Sequence, residues 1–199
     1  MSLDILEAAR RIFPDSLIAK TAMSLGESEI NTRKALKGAI PAILAGLLHQ
    51  SSRREGLGII DLLKTVDSSG ASNNLSDMLE STKYSSPATT GREGDINAMI
   101  PGWLKSVVDG KLINIINAIS VYADVKSSSA NAILKIATPA ALTPLAQYAK
   151  ENNMGAAEID TFLHSQKSSI IAAVPAGFNL TGSLGINSLE DIGTKIVTT

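Results

Sequence analysis

The sequence contains no cysteine, and aromatic residues amount to only 4% of the chain. Without thiols the protein cannot form disulfides, thiolate zinc sites or iron–sulfur clusters, and it cannot use a cysteine nucleophile. With so few aromatic side chains, a hydrophobic core must be built from alanine, leucine, isoleucine and valine. Such side chains let helix axes approach closely, so the shortage of aromatics favours packed helices.

Charge is also scarce, since charged residues make up 19% of the 199 residues and the formal net charge is −1. A nearly neutral chain has no overall field that would attract nucleic acid or anionic lipid. No apolar run approaches the roughly 20 residues that span a bilayer. Met1–Phe13 places acidic residues before basic ones, the reverse of a secretory signal. We therefore expect a cytoplasmic protein without a transmembrane segment, and envelope association only if the natural chain continues past Thr199.

The motifs of several enzyme classes are missing as well. The sequence has no Gly-x-Ser-x-Gly motif and no phosphate loop, and Gly56–Gly58 lacks the third glycine of a dinucleotide site. His49 and His164 each follow an apolar helix end, and neither has a histidine or carboxylate at i+3 or i+4 to complete a metal site. We interpret both histidines as helix caps. The expectation is a non-enzymatic protein with no metal and no cofactor.

The chain does contain a distinctive apolar stretch, Gly38–Leu48, with Pro41 in its interior. A similar stretch, Ile136–Ala146, carries Pro139. Elsewhere, apolar residues recur every three or four positions, which is typical of amphipathic helices. These patterns predict an all-α fold.

The first half of the chain is repeated in the second half. Leu36–Lys37 is matched by Leu134–Lys135 at an offset of 98 residues, whereas Leu17–Ile18 is matched by Leu112–Ile113 at an offset of 95. We place the difference in the turn at 122–126, where an insertion costs least. The pattern predicts two homologous helical repeats that pack as a pseudo-symmetric single body.

This repeat divides the chain into four segments. Residues 1–66 form the first helical repeat, and residues 67–95 form a flexible connection rich in serine and glycine. Residues 96–178 form the second repeat. Residues 179–199 are either a tail that lies on the body or a linker.

The two prolines mark a candidate site. Pro41 cannot donate a hydrogen bond to the carbonyl of Lys37, and Pro139 leaves the carbonyl of Lys135 free in the same way. In one interpretation, these four residues line a groove for a ligand or partner. In another, the kinks only let two buried helices curve around each other. Alternatively, the first helix breaks at Gly38 and restarts at Pro41.

Basic residues and one tryptophan are the remaining candidates for partner contacts. Arg33 and Lys37 form an i, i+4 pair that could contact phosphates, although a solvated helix face opposite the apolar one is the better explanation. Trp103 is either a packing anchor or an exposed contact for a partner.

Several segments carry a resemblance to a known family. They are Leu17–Ile18, Leu25–Ser28, Lys34–Leu36, Ile40–Leu47 and Ser165–Ile170, and they resemble bacterial domain-of-unknown-function family 937, which includes the YidB-like proteins. The resemblance covers roughly residues 5–178 as a tandem arrangement. It implies an all-α fold with no assigned activity. Some members of this layout look like fusions to a peptidoglycan-binding domain of the outer-membrane-protein-A type, which would make the C-terminal stretch a linker.

These expectations favour a non-catalytic interaction or scaffold module whose partner is an unknown protein or a second copy of the chain. The first alternative is small-molecule or lipid binding in a cavity between the two proline-kinked helices. The second alternative is weak nucleic-acid binding through the face that carries Arg33 and Lys37.

Overall fold

All regular secondary structure in the part of the chain that the structure describes is helical. A computed structural model describes residues 3–53, 59–70, 102 and 110–193, and Trp103 lies outside these ranges. The helices are α1 (Ile5–Arg11), α2 (Asp15–Leu25), α3 (Glu29–Arg53), α4 (Ile59–Ser69), α5 (Leu112–Ala123), α6 (Ser127–Glu151), α7 (Ala156–Ser165), α8 (Lys167–Ala173) and α9 (Leu180–Leu184), followed by a 3₁₀ turn at Leu189–Asp191. The predicted all-α fold is confirmed for these residues. Within them, no helix has the length and apolar character needed to cross a membrane.

Polar side chains and backbone geometry set the helix ends. Asp4 caps α1, because its carboxylate accepts hydrogen bonds from the N–H groups of Leu6 and Glu7. Gly26 ends α2 at φ 68°, in the left-handed region where a Cβ would clash. Asp124 ends α5 in the same region at φ 55°, which a short polar side chain tolerates better than most.

The turns after α2 and α5 are equivalent in length and hydrogen bonding. The N–H of Glu27 donates to the carbonyl of Ala22 at 3.0 Å, and the N–H of Val125 donates to the carbonyl of Ser120 at 3.2 Å. Both bonds close the same wide turn around a left-handed residue. The predicted insertion in the turn at 122–126 is therefore wrong.

This correction also changes one match between the two halves. Counting back from the two turns pairs Leu17–Ile18 with Ile115–Ile116 rather than with Leu112–Ile113. Ile18 and Ile116 are both buried. The match was based on identical Leu-Ile pairs. The number of residues between a side chain and the turn, however, decides whether that side chain faces the core.

The two long helices α3 and α6 continue through their prolines. Each has 25 residues, and Pro41 and Pro139 both stand at the thirteenth position. The alternative in which the first helix breaks at Gly38 is therefore wrong. α6 also passes through Pro144.

Buried threonines accompany the prolines of α6. The hydroxyls of Thr138 and Thr143 each donate to the carbonyl four residues earlier, at 2.7 and 2.6 Å. Such bonds satisfy a buried hydroxyl without a partner from another helix. They let α6 remain buried although it carries polar groups in its middle.

α3 and α6 pack against each other at the centre of the molecule. α1, α4 and α5 pack on α6, whereas α2, α5, α7 and α8 pack on α3. Each central helix is thus covered by helices from both halves of the chain. The largest fully buried side chains are aliphatic: Ile5, Ile43, Leu44, Leu47, Leu48, Ile115, Ile119, Ile133 and Leu134. The predicted aliphatic core is confirmed, with Phe13, Phe162 and Phe178 also buried.

The segment boundaries can be compared with the structure in two places. α4 continues to Ser69, so residues 67–69 of the predicted connection are helical. Most of that connection, and residues 96–101 and 103–109 of the second repeat, lie outside the described residues. In the C-terminal segment, Leu180 and Ile192 are buried in the common core. Up to residue 193, this segment therefore lies on the body.

Candidate functional site

The four residues predicted from the proline pattern do not come together at one cavity. Pro41 and Pro139 are buried within α3 and α6, and Lys135 is half-buried. None of these three lines any of the four cavities found among the described residues. Lys37 is exposed and lines the largest of them.

That cavity, which we call the basic groove, has a volume of about 610 Å³. It lies between α1, α2, α3, the end of α5 and the chain that follows α8. Its lining residues are Arg10, Phe13, Ile18, Arg33, Leu36, Lys37, Ile40, Tyr122 and the segment 172–176. Ligand sites for small molecules commonly measure about 300–1,000 Å³ and combine apolar walls with a few polar groups.

One face of α3 forms the floor of the basic groove. Arg33, Leu36, Lys37 and Ile40 are spaced i, i+3, i+4 and i+7, so they follow one another along a single face. Leu36 and Ile40 are buried, whereas Lys37 is exposed. The floor is therefore apolar along its length and carries cations at its edge.

The charges that line the basic groove all have one sign. Arg10 projects from the last turn of α1, and Arg33 and Lys37 project from α3. No aspartate or glutamate is among the described residues that line it. Outside the lining, Nη1 of Arg33 lies 3.0 Å from Oδ1 of Asp15. Both side chains of this pair are exposed to solvent, so it contributes little to stability.

An aromatic pair holds the wall opposite α1. The rings of Tyr122 and Phe178 meet edge to face, with their centroids 5.6 Å apart. Nζ of Lys34 lies 5.0 Å from the centroid of the Tyr122 ring, a distance typical of a cation–π contact. A Cβ on Gly38 would come within 2.8 Å of the Phe178 ring, so only glycine permits this approach without a shift. The segment 172–176 directly precedes this anchor.

A second cavity of about 360 Å³ lies between α4 and the end of α6. Lys150 and Asp67 line it, and Nζ of Lys150 donates to Oδ2 of Asp67 at 2.8 Å. The hydrogen bond and charge of Asp67 raise the pKa of Lys150. Lys64 also lines this cavity, but a carboxylate stands among the lining residues, so the cavity attracts an anion less than the basic groove does.

The histidines take structural positions in the described part of the chain. His164 lies in the last turn of α7, as predicted for a cap. Its Nδ1 lies 2.8 Å from the carbonyl oxygen of Asp160, and its Nε2 lies 2.8 Å from the carbonyl oxygen of Gly193. His49 is buried near the end of α3. No group of three metal-ligating side chains occurs among residues 3–53, 59–70, 102 and 110–193.

Sequence reasoning found part of the basic groove and missed the rest. It identified Arg33 and Lys37 as one helix face but connected Lys37 with Pro41. The spacing of Leu36 and Ile40 beside these cations could have indicated the floor. No local signal indicated that Arg10 or the segment 172–176 would meet this face, because those contacts depend on tertiary packing.

A comparison with protein families gives one match. Residues 10–148 match the family described as "Bacterial protein of unknown function (DUF937)", which is more than two thirds of the chain. The chain belongs to this family. The match contains the groove residues from Arg10 to Tyr122, whereas the wall at 172–176 follows it. No curated protein and no solved structure gives a match. Membership in the family assigns no activity.

Proposed function

We propose that this family member is a non-catalytic binding module that holds an anionic amphiphile in the basic groove. The observation that carries this proposal is the lining itself: three cationic side chains, no carboxylate, and an apolar floor in a volume of about 610 Å³. An anionic group would contact the cations while a hydrocarbon part covers Leu36 and Ile40. The charge-assisted contacts and the burial of apolar surface therefore both favour an anionic amphiphile as the ligand.

This proposal moves the ligand site away from the prolines. Pro41 and Pro139 stand on buried parts of the two central helices, and they support the interpretation in which prolines shape packed helices. The outer face of α3 offers space that the neighbourhood of the prolines does not. Lys37 belongs both to the site predicted from the prolines and to the basic groove.

The proposed function can be tested with a fluorescent fatty acid. We expect the full chain to bind dansyl-undecanoic acid saturably with one molecule per chain, as measured by the rise in dansyl fluorescence. Arg10→Gln should weaken binding by about tenfold, because it removes one charge-assisted contact. The matched control is Arg11→Gln, since Arg11 adjoins Arg10 but pairs with Glu7 and does not line the groove. Equal weakening by both variants, or binding without saturation, would contradict the proposal.

We also propose that the two halves pack around a pseudo-twofold axis. The left-handed residues Gly26 and Asp124 differ by 98 positions, as do Pro41 and Pro139. The contacts between the turns are reciprocal: Asn31 in the first half donates to the carbonyl of Asp124, while Ser129, its counterpart 98 positions later, bonds to Glu27. A twofold arrangement produces such exchanged contacts.

Self-association is the second candidate function, and exposed apolar residues favour it. Met23 and Val121 are each 84% exposed, and Ile30 is 77% exposed. Met23 and Val121 also differ by 98 positions, so a second copy of the chain would meet similar groups from both halves. Sedimentation equilibrium should show a dimer that the Met23→Ser/Val121→Ser variant weakens. A monomer at all concentrations would contradict this candidate.

The remaining expectations stay predictions. Nucleic-acid binding has weak support, because the chain has a formal net charge of −1 and therefore no overall field that attracts nucleic acid. A cytoplasmic location, the YidB-like grouping and a fusion to an outer-membrane-protein-A-like domain rest on sequence reasoning and resemblance alone.

A further inference from the structure

We infer that the ligand of the basic groove is a long-chain phosphate monoester, whose dianionic headgroup is matched by the net charge of Arg10, Arg33, Lys37 and Asp15. This inference rests on the proposed function and narrows its ligand class. It concerns the number of charges that the groove can balance. A carboxylate or a phosphate diester carries one negative charge, whereas a phosphate monoester carries nearly two at neutral pH.

The count of charges around the groove favours the dianion. Arg10, Arg33 and Lys37 supply three positive charges, and Asp15 offsets one of them through its 3.0 Å contact with Arg33. Two positive charges remain to be balanced. A single carboxylate would leave one cation unmatched, whereas a phosphate monoester would balance both.

Three of the helix ends at the groove supply no positive charge. α1 ends at Arg11, α5 ends at Ala123 and α8 ends at Ala173, all beside groove residues. The C-terminal end of a helix carries a partial negative charge. α2 begins beside the groove as well, but its first turn already carries Asp15, so the attraction of an anion comes mainly from the cations.

The chemistry of the cations suits phosphate. Two of the three are arginines, and a guanidinium group can donate two parallel hydrogen bonds to two phosphate oxygens. Arg33 and Lys37 lie one turn apart on α3, and Arg10 lines the same groove from α1. A tetrahedral headgroup has enough oxygens to accept from cations on two sides, which a planar carboxylate does less well.

The apolar part of the groove requires a chain on the headgroup. Phe13, Ile18, Leu36 and Ile40 are buried side chains that border the groove, and Val174 and Pro175 also line it. Free phosphate would leave this apolar surface exposed to water. A hydrocarbon chain would remove it from water, which stabilises the complex in proportion to the apolar area covered.

Isothermal titration calorimetry with four ligands tests the inference, using the full chain at about pH 8, where a phosphate monoester is dianionic. The ligands are dodecyl phosphate, methyl dodecyl phosphate, dodecanoate and inorganic phosphate, each below its micelle concentration. We expect dodecyl phosphate to bind about tenfold more tightly than the two monoanions, because one charged contact is lost with each of them. Inorganic phosphate should bind more weakly than all three.

Each outcome separates the inference from the proposed function. Equal affinities for the three dodecyl compounds would overturn the inference and leave the proposed function standing. Saturable binding of none of them would overturn both. Inorganic phosphate that binds as tightly as dodecyl phosphate would show a phosphate site without a chain site, which also overturns the inference.

Asp15→Asn tests the charge balance directly, because a purely structural role of Asp15 would not make any ligand bind more tightly. It removes the carboxylate beside Arg33, so the groove would carry three unmatched cations instead of two. We expect all three dodecyl compounds to bind more tightly and dodecyl phosphate to gain most, because the added positive charge attracts a dianion about twice as strongly as a monoanion. Lys37→Gln should instead weaken dodecyl phosphate by about tenfold. Unchanged affinities in both variants would contradict the inference.

Discussion

The backbone N–H of Lys126 donates a hydrogen bond of 3.1 Å to Oε1 of Glu27, which lies 99 residues earlier in the sequence. Lys126 is the N-cap residue of α6, and its own side chain caps nothing there. The first N–H groups of a helix have no partner within the helix. Glu27 therefore caps the second long helix from the turn before the first one, and it ties the two halves together.

This contact predicts that stability falls in acid. Burial acts to raise the pKa of Glu27, but the Ser129 hydroxyl, the Lys126 N–H and the Lys126 charge outweigh it, so the pKa lies below 4.5. A carboxylate with a lowered pKa stabilises the folded state above its unfolded pKa and loses that contribution as the pH falls through the folded one. Urea denaturation should show this loss below about pH 4.5.

The variant Glu27→Gln isolates that contribution. It keeps an oxygen that can accept from the Lys126 N–H but removes the charge, so it should lower the free energy of unfolding near neutral pH by about 0.5 kcal/mol, which is typical of an exposed charge near a helix N-terminus. The difference from the parent chain should shrink as the pH falls below 4.5, because the parent then loses the charge too. Glu29→Gln, an exposed change in the first turn of α3, serves as the control. A difference that stays constant from pH 7 to pH 3 would argue against the cap.

Gly38→Ala should destabilise the protein although alanine favours helices. A Cβ at this position would lie 2.8 and 2.9 Å from two carbons of the Phe178 ring. That ring is buried and held by Tyr122, so it cannot move away cheaply. Overpacking of this kind costs about 1–3 kcal/mol, against about 1 kcal/mol gained in helix propensity. Thermal and urea denaturation would measure the balance.

A second substitution shows whether the clash is the cause. Phe178→Leu removes the ring, and in that background Gly38→Ala should become neutral or stabilising. If Gly38→Ala has the same effect with and without the Phe178 ring, another contact controls this position. The dansyl-undecanoic acid titration should also report a change, because the ring anchors the chain beside the groove wall.

Sequence reasoning succeeded for α3 because its pattern is local. The proline at the same position in α3 and α6, and the shared helix face of Arg33 and Lys37, were predicted from spacing alone. Burial of Pro41 within its helix could not be read in this way, since a break at Gly38 satisfies the same sequence. Whether the helix continues or breaks depends on how α6 packs against α3, and no local sequence pattern encodes that packing.

Long-range contacts explain the other differences. The match of Leu17–Ile18 with Leu112–Ile113 followed identical letters, whereas the equivalent turns at Gly26 and Asp124 define a different register. The aspartate at position 124 hides the equivalence of the two turns in the sequence, because glycine is the usual signal of a left-handed helix end. The wall at 172–176 belongs to the groove only because Phe178 packs on Gly38, and that pair is separated by most of the chain.

Leu44→Ala and Leu142→Ala should each lower the free energy of unfolding by about 2–5 kcal/mol. Both side chains are fully buried, on α3 and α6 respectively. Truncation removes apolar contacts and leaves a space that close-packed helices fill only in part. Val121→Ala, at an exposed position of α5, should change stability by less than about 0.5 kcal/mol. Similar small effects for all three variants in urea denaturation would contradict a core centred on α3 and α6.

His164→Ala should loosen the segment around Leu189–Asp191 more than the rest of the molecule. The imidazole contacts the Gly193 carbonyl at 2.8 Å, and Gly193 packs within van der Waals reach of Leu48 on α3. Loss of the ring removes the polar tie and leaves the carbonyl of a buried residue without that contact. Hydrogen exchange should therefore become faster at 189–193, while the exchange of α3 and α6 changes little. The control is Thr161→Ala, an exposed change on the same helix. Uniformly faster exchange in all helices would instead mean that His164 supports the whole core.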